Sequence, residues 1–323
     1  MKKQPTVSVV FVNYNGKKLL GEAIKSIRGS TTSAYEIIVV DNASTDGTKE
    51  MLRKKFPNVI LIENKENKGY TGINSALPHC KGKYILFLNN DLEMEKNSVT
   101  TLIKTLEKDS NAALAVPKLV NYYDRKNDSA GTWVSRAFYN GHYRADGVDN
   151  NVKEIPYMGI GLIRAGVVEA FGYLFDLDYF IYAEDLDLGL RIRLLGMKTL
   201  YVPKAACYHM HSMTMKNVSD PKKTFLMERN LLTTFYKIPS LGTLILLFPY
   251  VHFMRLLTIL RDIFTFKLGA AFARVRAIFS VFFNMPTILK KRTTLQKMRK
   301  VNDAYVFSIF TEKYLFLGKR LTI

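Results

Sequence analysis

Cysteine is scarce in this chain. Its 323 residues include two, Cys80 and Cys207. That is too few for a disulfide framework and suits a reducing compartment. No glycine-rich phosphate fingerprint is present after the first apolar run. Neither G-x-G-x-x-G nor G-x-x-x-x-G-K-[ST] follows Val7–Asn13, which counts against a dinucleotide oxidoreductase and a P-loop NTPase. A nucleotide would then be held by side chains and a metal. The N-terminus carries Lys2 and Lys3, but its apolar run, Val7 to Val12, is short and leads into a polar loop. It is expected to be a first strand and not a signal peptide. No recognised nucleic-acid motif occurs, so a nucleic-acid partner is not expected.

What is present is apolar residues and positive charge. Hydrophobic content is 48%, enough for a full core, and the net charge is +19. The charge is uneven. Residues 211–323 hold 19 Lys+Arg against 5 Asp+Glu, while residues 1–210 hold 28 against 23. A nearly balanced front and a basic tail imply two jobs, with the tail suited to an anionic surface.

The front alternates strand and helix. Val7–Asn13 is a buried strand, and Lys17–Arg28 is helical with Leu19, Leu20, Ala23, Ile24 and Ile27 on one face. Glu36–Val40, Val59–Ile62 and Tyr84–Leu88 read as further strands. Asp46–Phe56, Tyr70–Leu77 and Asn97–Lys108 read as helices. This spacing predicts an α/β fold, a mostly parallel sheet with helices on both faces. The stretch Ala113 to Ile163 reads as less regular. Within it Tyr122–Asn127 is a polar loop, Asn140–Val152 is expected to be mobile, and Ile155–Arg164 returns as a strand with two glycines.

Polar residues follow the strands: Asn13-Tyr14-Asn15, Asp41-Asn42-Ala43-Ser44, Asn64 to Gly69, and Asn89-Asn90-Asp91. Loops beyond the carboxyl ends of strands are where such sheets bind ligands. Turn chemistry alone accounts for any single loop. Asp41 and Asp91 together favour function, because each ends a very apolar strand with a carboxylate that a turn does not require. Later, Tyr182-Ala183-Glu184-Asp185-Leu186-Asp187 puts three carboxylates in four positions before a helical pattern ending at Gly196. Capping and the helix dipole need only one. Asp185 is the better candidate for a general base in a partly desolvated pocket, and Asp187 for structure. His209 and His211 follow the strand Thr199–Val202. Two positions apart on an extended segment, they face opposite ways, so one at most is expected to be a ligand.

These residues resemble the inverting family 2 glycosyltransferases of GT-A fold, and within them the rhamnosyltransferase-like members that build cell-surface polysaccharides. The matching stretches are VSVVFVNYN (7–15), DNASTDG (41–47), NKGYTGIN (67–74), LNND (88–91), FGYLFD (171–176), YAEDLDLGLR (182–191), YVP (201–203) and His209. The resemblance covers about residues 6–214. It implies that Val12 and Tyr14 flank the nucleobase and that Asp41 accepts a hydrogen bond from its ring N–H. It places Asn67, Gly69 and Asn74 in the nucleotide-sugar cleft, with Asn89 and Asn90 on the donor side. Asp91 would bind a divalent metal, Mg²⁺ or Mn²⁺, through the diphosphate, with His209 near the diphosphate or completing the metal shell. Asp185, paired with Glu184, would be the catalytic base. At the metal motif this chain departs from the family: Asn89-Asn90-Asp91 offers a single carboxylate, enough for a weak site filled together with donor. His211 stands where relatives often have glycine, so the choice between the two histidines stays open.

The implied function is transfer of a sugar, rhamnose among the candidates, from a UDP- or dTDP-sugar to a glycan or polyprenyl-linked acceptor in cell-envelope polysaccharide synthesis. A sugar-phosphate nucleotidyltransferase is a rival; it would want a glycine-rich basic loop where Asn13-Tyr14-Asn15-Gly16 stands. A non-catalytic nucleotide- or glycan-binding scaffold is another. A GT-A catalytic domain is expected over 1–215, its nucleotide-sugar part about 1–110 and its acceptor part about 111–215, with a helical, basic, apolar extension over 216–323.

The run Ile238–Met254 has 17 residues and no Asp, Glu, Lys or Arg, at the lower edge of the ~17–25 residues that cross a bilayer. Beyond it, Lys and Arg punctuate Leu, Ile and Phe, a pattern suited to helices lying in a membrane interface through about residues 238–300. A spanning helix is disfavoured by length and flanking charge, and a helical subdomain that supports a homo-oligomer is the plainer alternative. The expected location is the cytoplasm, peripheral on the inner face of the cell membrane.

Overall fold

A computed structural model describes residues 5–143, 151–210 and 220–311. The strands are β1 (Val7–Asn13), β2 (Tyr35–Asp41), β3 (Ile60–Glu63), β4 (Tyr84–Asn89), β5 (Leu92–Met94), β6 (Ala112–Asn121), β7 (Asn127–Ser129), β8 (Thr132–Val134), β9 (Asn140–His142), β10 (Lys153–Ile155), β11 (Gly161–Arg164) and β12 (Lys198–His209). The helices are α1 (Lys17–Ser30), α2 (Thr48–Lys55), α3 (Ser98–Lys108), α4 (Ala165–Phe171), α5 (Glu184–Leu194), α6 (Pro221–Lys237), α7 (Leu241–Phe264), α8 (Leu268–Phe283), α9 (Met285–Met298) and α10 (Asp303–Phe307), with 3-10 turns over Tyr70–His79 and Leu177–Tyr179.

One sheet dominates, in the order β10-β12-β6-β11-β4-β1-β2-β3, with β5 on β12 and β7 on β6. Strands β3, β2, β1 and β4 run parallel. Beyond β4, the antiparallel β11 inserts between β4 and β6, and β12 pairs parallel with β6. β1 and β4 are buried almost throughout, as their unbroken apolar runs require. α1 buries Leu20, Ala23, Ile24 and Ile27 against the sheet, close to the face its spacing predicts. Both cysteines are free thiols.

The middle of the chain is more regular than its sequence indicates. β6 is a ten-residue strand, buried along most of its length. Its alanines and Pro117 mask it. The proline is tolerated because it sits at an irregularity, where the partner register on β12 jumps from Val202 to Ala206. Ile155–Arg164 is not one strand. It splits into β10, which pairs with β12, and β11, which pairs with β4 and β6. Most of Asn140–Val152 lies outside the described residues.

Past β12, four long helices pack beside the sheet domain. Lys237 of α6 is buried and bridges Asp176 and Asp187, each at 2.7 Å. Asp187 also holds Arg191 at 2.8 Å, which bears out its structural reading. Glu228 of α6 receives Arg255 of α7 at 2.8 Å and also pairs with Arg274 of α8, which reaches Asp262 at 2.8 Å. α7 is longer than the uncharged run predicts, at 24 residues. Arg255 and Asp262 continue the helix because their charges are neutralised inside the protein. At 1.5 Å per residue it is about 36 Å long, enough to cross a hydrocarbon core of about 30 Å. Length therefore no longer argues against a span. α7 and α8 leave an apolar surface open, including Ile245, Leu246, Phe253, Phe264, Phe272, Phe279, Phe282 and Phe283.

Candidate active site

The parallel strands deliver their polar ends to one edge. The register sets Asn13 opposite Asp41 and Val12 opposite Asn89. Asn13 is the hub. Its Nδ2 donates to Asp41 Oδ1 at 3.2 Å, Ser44 Oγ at 3.1 Å and Thr48 Oγ1 at 3.2 Å, and its Oδ1 accepts from Asn90 Nδ2 at 2.7 Å. Asp41 Oδ2 accepts the Ser44 amide at 2.9 Å. Asp41 has no exposed surface, and each oxygen keeps a lone pair after these bonds. Tyr14 lies open beside them, 49% exposed.

The loop after β3 closes on itself and on the opposite wall. Asn67 Oδ1 accepts the Gly69 amide at 2.8 Å. Gly69 has φ +62°, and a Cβ there would stand 2.2 Å from the Phe180 carbonyl oxygen, so both backbone conformation and space demand glycine. Tyr70 and Thr71 then donate their amides to that carbonyl at 2.8 and 3.3 Å. Asn74 spends its amide on backbone a hundred residues away: Nδ2 donates to the Phe175 carbonyl at 2.6 Å and Oδ1 accepts the Leu174 amide at 2.8 Å.

Asp185 stands in the first turn of α5. Its Oδ1 accepts the Leu186 amide at 2.8 Å, and its other oxygen lies against Gly159, 3.3 Å from where a Cβ would be. Burial pushes its carboxyl up to about 6 and outweighs the backbone hydrogen bonds that favour the anion. Glu184 is more deeply buried, and burial and then the Asp185 charge push its carboxyl well above the usual range. The Tyr70 hydroxyl donates to the Gly159 carbonyl at 2.7 Å. Burial raises its pKa well above normal, and the charges of Glu184, Asp185 and Asp91 add to the rise. Tyr70 is thus the side chain that feels both carboxylate groups of the cleft.

Asp91 follows β4 and is nearly buried. Its carbonyl accepts the Met210 amide at 2.9 Å, which ties it to the end of β12. His209 Nε2 is 3.4 Å from Asp91 Oδ2, and His209 Nδ1 is 2.8 Å from Asp128 Oδ2 on β7. Burial disfavours the imidazolium, but hydrogen bonds to Asp128 and Asp91 prevail and raise the pKa to about 9. Among the described residues no group of three or more His, Cys, Asp or Glu side chains converges as a ready-made metal cage.

Residues 8–171, half of the chain, match the family described as Glycosyl transferase family 2. The chain belongs to that family. It is 39% identical over 92 residues to a poly(ribitol-phosphate) beta-glucosyltransferase of Bacillus spizizenii, a match covering 26% of this chain and 14% of that protein. It is 25% identical over 232 residues to an N-acetylglucosaminyl-diphospho-decaprenol L-rhamnosyltransferase of Mycobacterium tuberculosis, covering 62% and 75%. The backbone superposes on a mannosyltransferase of Pyrobaculum calidifontis, solved with GDP-Man and Mn²⁺, at a TM-score of 0.53 and 19% identity over 95% of this chain and 86% of that one. That likeness shows the GT-A fold.

In this family 2 glycosyltransferase the sheet edge brings Val12, Tyr14, Asp41, Asn89, Asn90 and Asp91 together, with His209 beside Asp91. Asp185 packs against Gly159, whose carbonyl holds the Tyr70 hydroxyl, and the charges of Glu184, Asp185 and Asp91 all reach that tyrosine. His211 lies outside the described residues. Sequence reasoning passed over Asn13, whose polarity reads as turn chemistry, and Tyr70, one aromatic among many. It also missed Asp128, a carboxylate just past the polar loop, on β7. The polar end of β1 was the only available signal for Asn13.

Proposed function

We propose that this chain transfers a sugar from a UDP- or dTDP-sugar to a glycan or polyprenyl-linked acceptor, with inversion at the anomeric carbon. The observation that carries this is Asp185 in the first turn of α5, packed against Gly159, whose carbonyl holds the Tyr70 hydroxyl, with burial raising the Asp185 carboxyl to about 6. A general base works best with a pKa near the operating pH. Asp185 takes the proton of the acceptor hydroxyl as that oxygen attacks the anomeric carbon, and the nucleoside diphosphate leaves from the opposite face. Glu184, buried and pushed toward its neutral form, leaves the charge of the pair on Asp185.

On the donor side, Val12 and Tyr14 flank the base, and Asn67 and Gly69 shape the cleft. Asp41, one accepted bond on each oxygen, keeps lone pairs for a ring N–H. A divalent cation, Mg²⁺ or Mn²⁺, would offset the charge that builds on the diphosphate. The residues present fit one. Asp91 and His209 stand side by side, and Asp128 holds the far nitrogen of the imidazole, the arrangement that orients a histidine ligand. Water and diphosphate oxygens complete such a site.

A lipid-linked acceptor is supported by the decaprenol-linked substrate named for the Mycobacterium relative, which also puts rhamnose among the candidate sugars. It is supported too by the open apolar surface of α7 and α8, where Lys267 and Arg276 are exposed beside Leu268 and Phe272. Such a mixture suits the interface of an anionic bilayer. The C-terminal half of α7 is fixed by the Arg255–Glu228 and Asp262–Arg274 pairs, charges that favour a helix lying on the membrane over one crossing it. We place the enzyme on the cytoplasmic face.

Release of nucleoside diphosphate from a panel of UDP-, dTDP- and GDP-sugars, with Mg²⁺ or Mn²⁺, tests the reading. Turnover of a UDP- or dTDP-sugar that stops on chelation is expected. A chain that binds and turns over none of them is not this enzyme.

A further inference from the structure

The turn that leads into Asp185 is held in an unfavourable conformation. Phe180, Tyr182 and Ala183 all have positive φ, at 63°, 71° and 60°. Left-handed backbone at phenylalanine, tyrosine and alanine persists only where the surroundings over-determine it. From the donor side, the Tyr70 and Thr71 amides grip the Phe180 carbonyl. From the opposite side comes Asn230 of α6, wholly buried. Its Nδ2 donates to the carbonyls of Tyr179 at 3.0 Å, Ile181 at 3.0 Å and Tyr182 at 2.7 Å. Its Oδ1 accepts from Arg229 Nε at 2.9 Å, and Arg229 donates in turn to the carbonyls of Asp178 at 2.8 Å and Tyr179 at 3.1 Å.

An amide whose two N–H groups are shared among the Tyr179, Ile181 and Tyr182 carbonyls of one turn does more than fill space in a helix interface. We infer that Asn230 is a positioning residue: it holds the left-handed turn that aims Asp185 into the cleft, so the helical extension is part of the catalytic unit. The inference rests on the Asp185 reading above. Without Asn230 the turn relaxes toward ordinary backbone and the carboxylate moves away from the acceptor hydroxyl and into water. A displacement of about 1 Å in a reacting group can cost about 10²-fold in rate.

The test compares Asn230→Ala with Leu231→Ala, a buried neighbour on α6 that controls for loss of helix packing. Kinetics are taken with the nucleotide-sugar found active. For Asn230→Ala, kcat is expected to fall about 10²-fold with donor KM changed by less than about threefold. The acidic limb of its pH profile shifts to lower pH, because a hydrated carboxyl ionises more readily. Leu231→Ala is expected to lower the melting temperature at least as much while leaving kcat and the acidic limb in place. Asn230→Asp, which keeps the shape and removes the donors, matches Asn230→Ala. If neither Asn230 variant folds, Arg229→Ala removes two of the outer bonds and shows the same direction, a lower kcat at constant donor KM. Equal kcat losses in Asn230→Ala and Leu231→Ala, or an unmoved acidic limb, overturn the positioning role. Full turnover by Asp185→Asn would instead overturn the base assignment, so the two failures are distinguishable.

Discussion

His209 stands between two carboxylates, its Nε2 at 3.4 Å from Asp91 and its Nδ1 at 2.8 Å from Asp128. The contact joins the end of β4 to the end of β12 and gives Asp91 a partner that its own motif lacks. Asn90, beside Asp91, turns instead to Asn13. The asparagine thus holds the strand ends together, and the proposed cation site falls to Asp91 and His209.

Removing the outer carboxylate is therefore expected to matter. Asp128→Asn should weaken metal-dependent donor binding by about 10–100-fold, the usual cost of losing a residue that orients a histidine ligand. Asp91→Ala should weaken donor and metal binding together. Calorimetric titration of UDP with and without Mn²⁺ checks both, and unchanged metal dependence in either variant contradicts the assignment.

The pH dependence follows from Asp185. A base must be ionised to work, and burial raises its pKa to about 6. Activity is expected above that value and lost as pH falls through it. The acidic limb of kcat/KM measured from pH 4.5 to 8 should bend near 6; a limb at the ordinary carboxylate value would remove the desolvated base.

Besides shared apolar core, a buried ion cluster links the sheet domain to the helices. Lys237 neutralises Asp176 and Asp187. Truncating one partner of a buried pair leaves uncompensated charge, so Lys237→Ala is expected to lose about 3–5 kcal/mol of stability by urea unfolding. A loss below 1 kcal/mol would show that water reaches the site.

Membrane docking predicts a graded response. Phe272→Asp with Phe279→Asp should reduce co-sedimentation with anionic vesicles by more than about tenfold, since charge in place of buried aromatic area opposes insertion. Turnover of a water-soluble acceptor analogue should be kept. Vesicle binding equal to that of the unmodified chain would leave the apolar face for an oligomer.

How much of this was legible in the sequence differs by element. β1, β2 and β4 were plain, because a strand buried on both faces needs an unbroken apolar run. β6 was hidden by alanines and by Pro117, which the bulge on β12 accommodates. Asp41, Asp91 and Asp185 could be singled out because each breaks an apolar or aromatic approach with a carboxylate. Asp128, Asn230 and Lys237 could not. Their partners lie 81, 51 and 61 residues away, and nothing local distinguishes them from solvated polar residues. The length of α7 was understated for a related reason: Arg255 and Asp262 look like the end of an apolar run, while their ion partners sit on α6 and α8.

The central claim is that Asp185 removes the acceptor proton. The direct measurement is turnover of Asp185→Asn, alongside its affinity for the nucleoside diphosphate. The account predicts a loss of about 10²–10⁴-fold in kcat, the range for removing a general base, with affinity within about twofold. Turnover near that of the unmodified enzyme would contradict it.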